Sequence, residues 1–486
     1  MRGLDAKDAR IAELEAAVAA RDARIVQLEA KLEAALARIA ELEARLKSNS
    51  TNSSKPPSSD GPEVQRRPRK KKGKKRGGQP GHRGTRRQLL PTEACNAVVP
   101  VPLGPCTDCG GEVKVRPGAP PLVRHQVWEV PEVRPHVTEY QLHAGCCSGC
   151  GRWHQAELPQ GVPQGAFGPR LTALVAYMTG GMRLSKRLVK AFLADVMAVP
   201  VSVGQVPRLE AQVASALEGP VEQAHQYVRQ QKVAHGDETH WWQGGKLAWL
   251  WVVATALVTV FRIAQSRGSD VARALLKDFE GFFVSDRYSG YAWVDTPRRQ
   301  VCWAHLLRDF VGWAERSGPA AALGEALVEQ ALRLFGLAQR ARDGTLQWST
   351  FQRRMSGVRS EVARLLREAE VCPDTKVAGQ AQALLKVEGA LFTFMHHPEV
   401  PPTNNFAERQ LRQAVILRKL SYGTQSGGGS RYIERVLTAV TTLKQQGRDV
   451  LGFLTYALQA QLHGLPPPSL LPTHVSAPFA QAALTR

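Results

Sequence analysis

Apolar residues recur every seven positions at the start of the chain, at Leu4, Ile11, Val18, Ile25, Leu32, Ile39 and Leu46. A second row, Leu14, Leu28, Ala35 and Leu42, runs three residues behind, interrupted by Lys7 and Arg21. Such a stripe cannot be buried by a lone helix, so residues 1–47 are expected to form a coiled coil. β-branched residues in the first row with Leu in the second favour a parallel dimer. A long helix laid against its own chain is the competing reading. The pattern then stops. Residues 48–60 are rich in Ser, Asn and Pro with no periodicity, and 48–88 as a whole reads as a flexible polybasic linker. Helical spacing returns over 156–230, with a break at Pro200. Arg183, Lys186, Arg187 and Lys190 would share one surface there, as DNA contacts or as an ordinary solvated face. Strand-like runs follow at 232–242, 247–253 and 257–264, then a helix at 271–279. Further strands are expected at 281–286 and from 300. Residues 306–400 are helical in pattern, notably 321–342 and 351–369. Closing helices are expected over 401–447 and a C-terminal tail over 448–486.

Charge sharpens this outline. The 486-residue chain carries a net charge of +21, and residues 66–87 alone hold twelve Lys or Arg and no acid. Its densest part is Arg66, Arg67, Arg69, Lys70, Lys71, Lys72, Lys74, Lys75 and Arg76. Such a run repels itself until it meets phosphate, where counterion release favours binding without reading sequence. Double-stranded DNA is the partner this implies; a solubilising run is the alternative. The most apolar stretch, 247–261, is shorter than the roughly 20 residues a bilayer requires. No membrane partner is therefore expected, and the location is cytoplasmic, nucleoid-associated when DNA is bound. In that reducing setting the eight cysteines are not a disulfide scaffold. Cys106 and Cys109, with Cys147 and Cys150, form two C-x-x-C pairs suited to structural Zn²⁺. The interval is longer than usual, and Cys146 competes with Cys147. Short strands expected at 113–115, 127–130 and 137–141 would make 89–155 a zinc-ribbon-like module. Cys95, Cys302 and Cys372 read as structural.

The chemistry lies after residue 230. Asp237 and Asp286 end hydrophobic strands, where a carboxylate is costly unless paired or metal-bound. Three meandering strands, a helix and another strand suit an RNase H-like sheet, with the two Asp side by side. Glu408 follows Asn404 and Asn405, either of which could cap its helix. Three carboxylates suit Mg²⁺ or Mn²⁺, hard cations that assist phosphoryl transfer. Arg409, Arg412, Arg418 and Lys419 follow Glu408 as candidate phosphate contacts. His305 could orient a scissile phosphate or merely start a helix. Trp241 and Trp242 could stack on bases or pack in the core. The glycine-rich 422–430 stretch could approach a phosphate or be a plain loop. Glu238 should point away from Asp237.

These phrases together resemble the insertion sequence 66 family of DDE transposases over nearly the whole chain. The resemblance rests on the zipper-like helix, Ser54 to Asp60, Gly77-Gly-Gln-Pro-Gly-His82 and the paired C-x-x-C motifs. It continues through Gly236-Asp237-Glu-Thr239, Ser285 to Tyr291, Cys302-Trp-Ala-His305 and Asn404 to Arg409. It implies that Asp237, Asp286 and Glu408 are the catalytic triad, with a helical domain inserted before the third. The expected fold is multidomain α+β: an N-terminal coiled coil, a zinc-ribbon-like module, and an RNase H-like α/β core with a helical insertion. The core would occupy 231–305 and 401–447. The implied activity is cleavage at transposon ends and transfer of the freed 3′ hydroxyl to target DNA. A homodimer or higher oligomer and accessory proteins of the same element are implied partners. An inactive DNA-binding zinc protein and a nuclease without strand transfer are the alternatives.

Overall fold

The computed structural model describes residues 2–47, 87–116 and 118–472. The linker at 48–60 and the nine basic residues of 66–76 lie outside them. Helix α1 (Arg2–Lys47) is a single 46-residue helix. Val18, Ile25, Leu28, Leu32, Ile39 and Leu42 on its heptad rows are all more than two-fifths exposed. Among the described residues no helix is long and apolar enough to cross a membrane.

Among the described residues, those between 87 and 136 form one compact unit, and the others a second. Within 87–136 the order is local. Leu90 donates to and accepts from the Gln126 amide, at 2.9 Å each way. The strands expected at 113–115 and 127–130 do not form. Pro120, Pro121 and Pro131 remove backbone donors. Val115, Val127 and Val130 stay exposed, so their alternation serves no buried face. In the second unit the strand expected at 137–141 is also missing. Pairing starts later, where β1 (Ala144–Cys146) and β2 (Trp153–Gln155) form an antiparallel hairpin.

Between this hairpin and the main sheet lie the α-helices α2 (Pro169–Ala176), α3 (Lys186–Met197), α4 (Gln205–Ala216) and α5 (Glu218–Arg229). The sheet then begins with β3 (Val233–Gln243), β4 (Lys246–Ala254) and β5 (Thr259–Ala264). Helix α6 (Ser269–Leu276) leads to β6 (Phe282–Ser285) and β7 (Arg299–Val301). The order across the sheet is β5-β4-β3-β6-β7. β3 pairs antiparallel with β4, and β4 with β5; β3 and β6, and β6 and β7, run parallel.

The long interval before Glu408 is filled by α7 (Trp303–Ala314), α8 (Pro319–Arg342), α9 (Trp348–Glu370), α10 (Thr375–Leu385) and α11 (Glu388–Leu391). These helices build their own core around Phe310, Leu334, Val358 and Leu366, joined to the sheet through Val284 and Val301. The chain returns as α12 (Asn405–Ser421), α13 (Gly427–Gln445) and α14 (Val450–His463). Helix α14 falls where a tail was expected. It buries Phe453, Leu454 and Ala457 in the same core as α2, α4, α5 and the sheet.

An edge strand presents unpaired backbone groups every second residue. Helix α13 meets those of β5. Glu434, Thr438 and Thr442 accept from the backbone N–H groups of Ile263, Phe261 and Thr259, at 2.6, 3.0 and 3.1 Å. The spacings match: four helical residues rise about 6 Å, and two strand residues about 6.7 Å.

Candidate active site

β3 alternates. His235, Asp237, Thr239 and Trp241 face α12, and Gly236 and Glu238 face the other way. Each face is read from its partners. On the α12 side, His235 Nδ1 lies 3.2 Å from Asn404 Oδ1. Thr239 Oγ1 accepts from Arg418 at 2.7 Å, and Trp241 Nε1 donates to Thr424 Oγ1 at 3.2 Å. Helix α12 is thus tied along β3 at its start, near its end and just past it. On the opposite face Glu238 is buried. Arg267 donates to its Oε1 at 2.7 Å, and the Tyr291 hydroxyl to its Oε2 at 2.6 Å. Arg267 lies between Trp249 and Tyr288, 4.6 and 3.9 Å from their ring centres. Gly236 is required on this face, because a Cβ there would stand 2.2 Å from the Phe283 ring.

Asp237 and Asp286 come together through strand register. β3 and β6 run parallel, with His235 opposite Val284, so the two Asp continue the row two residues on. Asp286 Oδ1 accepts from the Tyr288 N–H at 2.9 Å, and its peptide carbonyl accepts from Arg299 at 3.0 Å.

Glu408 arrives through Asn404 and Cys302. Asn404 is buried, and its side chain makes no cap to α12. Instead its Nδ2 donates to the Gly236 carbonyl at 2.7 Å. Its backbone N–H donates to Cys302 Sγ at 3.0 Å, and the Cys302 N–H donates to the Ser285 carbonyl at 2.8 Å. Trp303 N–H donates to the Pro402 carbonyl at 2.9 Å. One buried Asn and one buried Cys therefore connect the three segments bearing Asp237, Asp286 and Glu408. His305, in the first turn of α7, lies 3.5 Å from Glu408.

The electrostatics follow from this crowding. Burial first, then Glu238, Asp286 and Glu408, hold the Asp237 carboxyl well above the usual carboxylate range. Burial, with Arg308 nearby, holds His305 below its ordinary value, so it is neutral near pH 7. His235 is pushed down to about 4 by burial. Burial pushes the Cys302 thiol up to about 11.

Residues 164–432, more than half of the chain, match the family model described as Transposase IS66 family. The chain belongs to the IS66 transposase family. Residues 4–88 match a second model, a family of unknown function (DUF6444). This IS66-family chain is also similar to "Uncharacterized protein y4qI" of Sinorhizobium fredii (strain NBRC 101917 / NGR234), at 26% identity over 242 residues. That match covers 45% of this chain and 44% of the relative, so the chain spans less than half of the relative's length.

The other residues singled out in this IS66-family sequence take varied positions. Arg412 and Lys419 are exposed on α12, and Arg409 is half-buried. Arg418 is engaged with Thr239 and the His240 carbonyl. Trp241 is fully buried, and Trp242 is exposed. In the glycine-rich stretch, Ser426 accepts from the Gly429 N–H, and Gly427 to Gly429 form the first turn of α13. Lys186 pairs with the buried Glu210 at 3.1 Å.

The two cysteine pairs repeat one turn. Cys106 N–H donates to Gly111 and Cys147 N–H to Arg152; the Gly110 and Gly151 N–H groups return to the Cys106 and Cys147 carbonyls. Gly110 and Gly151 have φ of +74° and +66°. Backbone N–H groups of Asp108 and Cys109 lower the Cys106 thiol, and those of Cys150 and Gly149 lower Cys147. Cys147 heads this turn, while Cys146 ends β1. Cys302 is structural, as read from sequence, while the partners of Asn404 and of the α13 side chains escape sequence reasoning, since each looks like a cap or an ordinary helix residue.

Proposed function

We propose that this chain is a DDE transposase whose catalytic carboxylates are Asp237, Asp286 and Glu408. The observation that carries the reading is the Asn404–Cys302 connection, which gathers three distant segments at one end of the sheet. The strand order, with β3 in the centre and parallel to β6, is the order an RNase H-like core requires. Family membership supports DNA as the substrate. The half-met electrostatics support a cationic cofactor. Asp237 carries a raised carboxyl amid like charges, and the buried Glu408 Oε1 has no hydrogen-bond partner. Asp237, Asp286 and Glu408 would hold Mg²⁺ or Mn²⁺. When bound, these ions supply Lewis-acid stabilisation of charge on the phosphodiester.

The protein's own part is positioning. Tyr288 N–H orients the Asp286 carboxylate, and Asn404 fixes the start of α12 against β3. Arg409, Arg412 and Lys419 offer charge to the DNA backbone along the helix that carries Glu408, and the basic run at 66–76 adds non-specific affinity. Hydrolysis at a transposon end frees a 3′ hydroxyl, which then attacks a target phosphodiester in line and releases the target strand's own 3′ hydroxyl. The exposed heptad stripe of α1 suits pairing with a second copy, as an enzyme holding two DNA ends requires. The two cysteine turns, with N–H groups aimed at sulfur, suit thiolate binding of structural Zn²⁺.

The test is cleavage and joining of DNA carrying the element's ends, with Mg²⁺ or Mn²⁺, in wild type and Asp286→Ala. Loss of both reactions in the variant with DNA binding retained is expected. Equal cleavage by the variant would sink the triad; cleavage without joining by the wild type would leave a nuclease.

A further inference from the structure

His305 and Glu408 meet without satisfying each other. Nδ1 of His305 and Oε1 of Glu408 stand 3.5 Å apart. Both atoms are cut off from solvent, and neither has a hydrogen-bond partner. Cys302 joins the pair: its Sγ, one ring nitrogen of His305 and one carboxylate oxygen of Glu408 lie within 4.8 Å of one another. Leaving such groups buried and unsatisfied is costly.

The pairing is built in by the backbone. The Trp303 N–H on the Pro402 carbonyl and the Asn404 N–H on Cys302 Sγ hold the starts of α7 and α12 together. His305 and Glu408 sit in the first turns of those helices, so neither can drift far from the other. The separation suits a shared ion. Two donors each about 2.1 Å from one cation, at near right angles, stand about 3 Å apart. Cys302 is the poorest donor of the three. It is fully buried, and its sulfur already accepts the Asn404 N–H.

We propose that His305, through Nδ1, is a direct nitrogen ligand of the divalent cation held at Glu408. The inference rests on the carboxylate reading above and deepens it. Asp237 and Asp286 offer oxygen alone, whereas the Glu408 end offers oxygen and imidazole. Imidazole suits borderline transition ions, and Mg²⁺ prefers an all-oxygen shell. The Glu408 subsite therefore selects Mn²⁺-class ions over Mg²⁺, and the two ends of the site differ in preference.

The experiment is pulsed electron paramagnetic resonance on tag-free, full-length protein loaded with Mn²⁺, beside Mn²⁺ titrations. The wild type should show nitrogen-14 coupling to bound Mn²⁺. His305→Ala and His305→Asn should lose the coupling and weaken one Mn²⁺ site about tenfold or more. Glu408→Gln should lose the same ion. Mn²⁺ bound to the wild type without nitrogen coupling overturns the ligand assignment and leaves the carboxylate site standing. The wild-type spectrum decides this even if a variant does not fold. Coupling that persists in both His305 variants assigns the nitrogen elsewhere and also overturns the proposal. Unchanged Mn²⁺ binding in Asp286→Asn and Glu408→Gln overturns the carboxylate reading, and this inference with it.

Discussion

Asp237 bears the heaviest electrostatic load among the residues of this face. Its carboxyl is buried beside Glu238, Asp286 and Glu408, and the hydrogen bonds from Arg267 and Tyr291 go to Glu238, on the far side of the strand. Its acid form is therefore favoured in the folded protein. As pH rises past the ordinary Asp value of about 3.9, the unfolded chain ionises first and the metal-free fold loses stability. The loss grows until Asp237 itself ionises. Asp237→Asn keeps the oxygen that accepts the Glu238 N–H and removes the charge. In chelator, the variant should melt a few degrees higher than wild type at pH 8, with the gap closing toward pH 4. Equal melting at pH 8 would show that Asp237 is not strained by its neighbours. Cleavage should be lost in the same variant at every pH.

Among the elements, α13 holds the sheet edge through side chains rather than through another strand. Thr438 is fully buried, and its hydroxyl meets the Phe261 N–H. Thr438→Val keeps the volume and orphans that donor, so it should cost about 1–3 kcal/mol in urea unfolding. Thr438→Ser, which keeps the acceptor, should cost less. An equal loss for both would assign the effect to packing. This stitch was illegible beforehand, because Glu434, Thr438 and Thr442 look like ordinary polar positions in a helix. The strands themselves were legible. Residues 232–242, 247–253 and 257–264 are strand-length runs, the last two strongly apolar, and 281–286 end in an Asp. In sequence Asn404 and Asn405 are equal candidates for a cap, since Asn before a helix usually is one. Asn404's true partners, Gly236 and Cys302, lie far off in sequence. The strands expected at 113–115 and 127–130 fail for the opposite reason: alternation is present, but Val115, Val127 and Val130 stay exposed.

For the whole molecule, two features reach beyond the sheet. Deleting residues 2–47 should convert a dimer to a monomer in sedimentation while leaving the melting of the remaining chain nearly unchanged. A dimer that survives would move self-association elsewhere. The repeated cysteine turns make a separate prediction. Purified chain should contain zinc, with loss in Cys147→Ser and retention in Cys146→Ser, as read by metal analysis. The reverse order would shift the second pair by one residue.

The distance along the chain between Asn404 and Gly236, 168 residues, also has a consequence in time. Contacts between near neighbours in sequence form first, and long-range ones wait for the intervening chain. A ribosome that has delivered β3 and β6 has made two carboxylates but neither the third nor the Asn that seats it. Every shorter product, whether paused, nicked or truncated before residue 404, carries an incomplete set. On the carboxylate reading proposed above, the capacity to cut DNA would appear only once the helices between Val301 and Asn404 have been synthesised.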